Sequence, residues 1–102
     1  MSDHRIIHGN MTRDPELRKA GEYDVANFSV AINHKNKDKE ETHFVNCEAW
    51  NKTGENICNF FEKGKEIMCW GRMKTESWES DGEKKSKDVM VVAGFDFCGK
   101  KE

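Results

Sequence analysis

Apolar and polar residues alternate with a period of two along much of the chain, and each alternating stretch predicts a strand with one face turned inward. Residues 4–11 (HRIIHGNM) form the first, closed by Gly9 and Asn10. In residues 23–33 (YDVANFSVAIN), Ala26, Phe28, Val30 and Ile32 occupy one face, while Val25, Asn27, Ser29 and Ala31 occupy the other. The aromatic-bearing side is the one expected inside. Residues 42–50 (THFVNCEAW) set Val45, Cys47 and Ala49 against Phe44, Asn46, Glu48 and Trp50. Residues 65–78 set Ile67, Cys69, Gly71, Met73 and Thr75 against Met68, Trp70, Arg72, Lys74, Glu76 and Trp78, with a bend expected at Gly71. A last strand, 87–98, carries Val89, Val91 and Ala93 against Met90 and Val92.

Between the third and fourth strands the period changes. Thr53 reads as an N-cap, Glu55 suits a first turn, and Ile57, Phe60 and Phe61 recur at helical spacing until Gly64. The remaining segments carry no alternation. Residues 12–22, with Pro15 and Gly21, read as a loop with one helical turn, and the charged stretches 34–42 and 79–86 read as hairpin loops, the second around Asp81-Gly82. Five strands with one helix between the third and fourth predict an all-β, five-stranded Greek-key barrel of the OB-fold type over residues 1–98, followed by a short tail at 99–102.

Composition narrows this picture. A chain of 102 residues holds one core, and with 35% apolar against 35% charged residues that core is thin. Lysine plus arginine is 17 and aspartate plus glutamate 19, for a net charge of -2, so bulk attraction to a polyanion is not the driving force. A positive groove on an acidic body remains open. No apolar run approaches the roughly 18 residues of a membrane span, and the N-terminus lacks a secretory leader pattern, which predicts a cytoplasmic protein with no membrane partner. Cys47, Cys58, Cys69 and Cys98 are spaced by 11, 11 and 29 residues with no C-x-x-C pair. They read as small buried hydrophobes, and neither zinc nor disulfides are expected. No phosphate loop, nucleophile elbow or metalloprotease motif occurs, so no enzyme, cofactor or metal is predicted. His8, in an apolar strand, reads as a hydrogen-bonded structural or interface residue.

The informative chemistry lies in strand parity. Phe44 and Trp50 are six residues apart and therefore share the otherwise polar face of their strand, and Trp78 ends the long strand on the side of Arg72 and Lys74. Aromatic plates interleaved with cations suit a single nucleic-acid strand, since every base offers a π-face and every phosphate a charge. The alternative is that these rings pack under loops or in a subunit interface. Lys35, Lys37, Lys84, Lys85 and Lys87 lie in mixed-charge loops, where phosphate contact competes with simple solvation.

Four blocks, GNMTRDPELR (9–18), VANFSVAIN (25–33), THFVNCEAWNKTGENICNFFEKGKEI (42–67) and GRMKTESWESDG (71–82), resemble in order and spacing the bacterial and phage single-stranded DNA-binding protein family. The resemblance implies an OB-fold homo-oligomer, a tetramer or else a dimer. It further implies a protein that coats single-stranded DNA without sequence preference in replication, recombination or repair. Phe44, Trp50 and Trp78 fall at the family's stacking positions, Arg13 and Arg18 in its first loop, and Lys52, Arg72 and Lys74 at its usual basic or polar positions, which implies phosphate contact for these five. Glu48 and Glu76 depart from the pattern as acids on the binding side. The family's acidic recruiting tail has no counterpart in GKKE, so replication or recombination proteins stay open as partners while recruitment through such a tail does not follow from the resemblance. A replication-restart or phage adaptor that turns the same face to a protein partner, with weak binding of single-stranded DNA or RNA, is the alternative.

Overall fold

The computed structural model describes residues 4–98. The expected tail at 99–102 lies outside them. Its elements are β1 (His4–Met11), β2 (Glu16–Ala20), β3 (Tyr23–Asn36), β4 (Lys39–Trp50), α1 (Asn51–Phe60), β5 (Glu66–Ser80) and β6 (Glu83–Phe97). The sheet runs β1-β5-β6-β4-β3-β2, and an added β1–β3 pairing closes five of these strands into a ring. Among the described residues β4 and β6 pair in parallel, and the other pairings are antiparallel.

Alternation builds the core of this ring. Ala26, Phe28 and Val30 of β3, Val45, Cys47 and Ala49 of β4, Ile67 and Cys69 of β5, and Met90 and Val92 of β6 are all buried. Ile57 of α1 and Phe61 just beyond it join the same cluster. The helix can lie this close because Gly54 has no side chain: a Cβ there would stand 2.3 Å from the Ala49 carbonyl oxygen. The Cys47 thiol is held far above the ordinary thiol range by its hydrogen bond to Cys69 and by burial, so it is inert.

The structure corrects the local expectations at residues 16–20, at the two charged stretches and at the helix ends. Residues 16–20 form a strand in place of a loop with a helical turn. ELRKA is an almost wholly exposed edge, so no buried face imprints a period on it, and its pairing comes from the backbone of β3. The charged stretches 34–42 and 79–86 are likewise strand almost to their tips, with register continuing to Asn36↔Lys39 and Ser80↔Glu83. Asp81 and Gly82 take positive φ values of 52° and 80°, the backbone that a two-residue hairpin turn matched to strand twist requires. The helix starts at Asn51 with Trp50 at its N-cap and no capping side chain, so Thr53 lies inside it and Glu55 beyond its first turn. It ends at Phe60, short of Gly64, because Phe61 must leave helical geometry to reach the core. Finally, the bend at Gly71 is a bulge whose extra residue, Ala93, sits in the partner strand: Trp70 pairs with Gly94 and Gly71 with Val92.

Candidate nucleic-acid interface

Directly opposite residues in a sheet share a face, so register alone assembles the outer surface. On β4 the outward positions are Phe44, Asn46, Glu48 and Trp50. β3 sets Ala31 beside Phe44, Asn27 beside Glu48 and Val25 beside Trp50, and β2 continues the rows with Glu16 opposite Asn27 and Arg18 opposite Val25. On the other flank, Val89 and Val91 of β6 stand beside Asn46 and Glu48, and β5 adds Lys74, Arg72, Glu76 and Trp78 opposite Val89, Val91, Lys87 and Lys85. One surface therefore crosses five strands, from Trp50 and Arg18 at one end toward Phe44 and Trp78 at the hairpin ends. Phe44 is 66% exposed, Trp78 45% and Trp50 37%.

The centre of this surface is a hydrogen-bonded chain of charges. Glu48 is only 6% exposed. Its carboxylate accepts the Trp50 indole N–H at 2.8 Å and faces the Lys74 ammonium at 3.1 Å. Lys74 also reaches Glu76 at 3.1 Å, and Lys87 stands 3.9 Å from Glu76. The hydrogen bond to Glu48, reinforced by Glu76, lifts the Lys74 pKa above its ordinary value against the opposing effect of desolvation. Lys74 is thus spoken for, and the two acids that would repel phosphate are largely neutralised within the protein.

The other predicted cations divide by place. A cleft between β2 and the barrel is lined by Arg13, Arg18, Asn27, Asn46, Glu76 and Lys87, among others. Lys84 and Lys85 border the depression beside Trp78, with Lys85 directly across from the ring. Arg72 is exposed in the row of Glu48 and Val91. Lys35 lies on the Phe44 side of its hairpin opposite Glu40, and Lys37 sits at the turn with a φ of 54°. Lys52 is on the exposed first turn of α1, outside the cleft. Asn27 and Asn46 are cleft residues that sequence reasoning passed over. Their signal was their place on the polar faces of their strands, where amides offer donors and acceptors without charge.

A closed five-stranded ring with a helix between its third and fourth strands, bearing exposed rings among cations on its outer face, defines an OB-fold protein. The profile of the Single-strand binding protein family matches residues 3–98. The chain belongs to that family. It is 39% identical over 95 residues to a single-stranded DNA-binding protein of Clostridium perfringens, covering 90% of this chain and 63% of the relative. A Fusobacterium nucleatum protein of the same description is 34% identical over 90% of this chain and 64% of its own length. Single-stranded DNA-binding protein 1 of Streptococcus pyogenes is 32% identical over the whole chain and 82% of its own length. The chain therefore spans a little under two thirds of the first two relatives.

Proposed function

We propose that this protein binds single-stranded DNA without sequence preference and coats it in the cytoplasm during replication, recombination or repair, as a binding protein and not an enzyme. The observation that carries this reading is the continuous outer face on which Phe44, Trp50 and Trp78 stand exposed beside Arg13, Arg18, Arg72, Lys85 and Lys87. Bases stack on the three rings, and phosphates take Arg13, Arg18, Arg72 and Lys85, together with Lys87, whose 3.9 Å approach to Glu76 is loose enough to yield. Lys35, Lys37, Lys52 and Lys84 lie at the margins and contribute long-range attraction, while Lys74 serves mainly to hold Glu48.

Self-association fits a second surface. Ile6, at 74% exposed, lies with Met68 and Trp70 in an apolar hollow along the β1–β5 edge, the kind of patch that a second copy of the chain covers. Light scattering on the purified protein gives the oligomeric state, and Ile6→Glu shifts it toward monomer.

The DNA reading is tested by tryptophan fluorescence. Titration with a long thymidine oligomer quenches the signal saturably, a matching duplex does not, and the midpoint moves to weaker binding as salt rises. Absence of quenching by the single strand at low salt overturns the proposal and leaves the face to a protein partner.

A further inference from the structure

On the outside of the barrel, away from the aromatic face, β1, β5 and the end of β6 lie side by side. His8 faces outward from β1 opposite Met68, with Asn10 next to Glu66. β6 pairs Phe97 with Ile67, which carries Cys98 to the position alongside Glu66. The His8 Nε2 and a Glu66 carboxylate oxygen are 2.5 Å apart, and the Cys98 sulfur completes a trio whose ligand atoms all lie within 4.8 Å of one another. Asn10 is committed elsewhere, donating from Nδ2 to the Gly64 carbonyl at 3.1 Å.

From this convergence we infer a zinc-class metal site formed by His8 Nε2, the Glu66 carboxylate and Cys98 Sγ. The chemistry of the set selects the ion. An imidazole nitrogen, a carboxylate oxygen and a thiolate sulfur together suit a borderline divalent cation, whereas calcium and magnesium take oxygen-only shells. Ligands about 2.0 to 2.3 Å from a tetrahedral ion stand roughly 3.4 Å apart. The Glu66–His8 pair opens slightly to admit the ion, and the Cys98 sulfur, within 4.8 Å of both, closes on it. His8 and Glu66 have exposed or half-exposed side chains, so rotamer changes suffice and the strands need not move. Three protein ligands leave a fourth position for water.

Two features separate this site from a simple ion pair. The His8–Glu66 contact alone satisfies the expectation of a hydrogen-bonded histidine; the cysteine just beyond β6 is the addition. The trio is also invisible to local spacing, since 58 residues separate His8 from Glu66 and 32 separate Glu66 from Cys98. Ion binding here ties the end of β6 to β1 and β5. The site stands apart from the proposed stacking face, so the inference is independent of the DNA-binding reading, but His8 lies opposite Met68 and the site therefore borders the surface proposed for self-association.

The test uses the whole protein, reduced with a non-thiol reductant, and cobalt(II) as a spectroscopic stand-in for zinc. One equivalent per chain produces a thiolate-to-cobalt charge-transfer band, and zinc(II) bleaches it. Cys98→Ser abolishes the band, and Glu66→Gln and His8→Gln each weaken cobalt binding by about tenfold or more. Cys58→Ser leaves the band intact. Circular dichroism confirms that each variant is folded, and thymidine-oligomer binding by Cys98→Ser equals that of the parent. No band at stoichiometric cobalt, or a band that survives Cys98→Ser, overturns the site.

Discussion

The barrel wall around Trp50 and the β5–β6 hairpin that carries Trp78 present the same residue type in opposite mechanical settings. Trp50 ends a strand whose inner face is buried from Val45 to Ala49, and its indole N–H is held by Glu48, which is itself held by Lys74. Trp78 stands on a two-stranded arm, exposed on both faces, that projects to the Asp81-Gly82 turn. A two-stranded ribbon is marginal by itself. One ring is therefore oriented by the protein itself, while under the proposed function the other would be ordered in part by the bound strand, at some cost in affinity and with a gain in adaptability.

The comparison can be broken most sharply at the barrel. Ile57→Ala, which empties a fully buried position, should destabilise the domain by about 2 to 5 kcal/mol in urea unfolding. A loss under 1 kcal/mol would show that the helix does not close the core. Next come the rings. Trp50→Ala and Trp78→Ala should each weaken thymidine-oligomer binding by about 1 to 3 kcal/mol, roughly 5- to 150-fold. Only Trp50→Ala should lower the melting temperature, because it also strips a partner from buried Glu48. An equal drop for both variants would erase the distinction between wall and arm.

A smaller effect is expected at the turn. Gly82→Ala forces an alanine into a φ of 80°, which costs about 1 to 2 kcal/mol locally. Hydrogen exchange should accelerate in residues 77–86 and leave the barrel unchanged; acceleration in β3 or β4 would mean that the arm and the wall unfold together. The smallest effect belongs to the charge chain. Glu48→Gln keeps an acceptor for the Trp50 N–H but frees Lys74, so binding should tighten at low salt, and the logarithmic salt slope should steepen by about 0.7. An unchanged slope would show that Lys74 stays engaged through Glu76 alone.

The same contrast explains what could be read before any coordinates. Wherever one face of a strand is buried, selection for Phe28, Val45, Cys47, Ile67 or Met90 leaves a period of two that is legible without a partner. The outward parity of Phe44 and Trp50 follows from the same period. In the arms and in β2 both faces meet water. No period survives there, and charged runs such as HKNKDKEET look like loops although they are paired strands. The helix ends leave no local mark because Trp50 and Phe61 are positioned by the sheet and the core, with no capping side chain at the start.

By itself, then, the sequence determined five strand segments, the helix among them and the side of the sheet on which the rings stand, because these depend on alternation within a single segment. Tertiary structure decided the rest. Arg18 reaches the row of Trp50 only because β2 pairs with β3, and Glu48 proves to be a partner of Lys74 only because β4 and β5 flank β6. His8, Glu66 and Cys98 meet only because β1, distant in sequence, lies beside β5, and the β5–β6 hairpin brings the residue after β6 back alongside Glu66. Contacts of this kind depend on which segments become adjacent, and the closure of the barrel sets that adjacency.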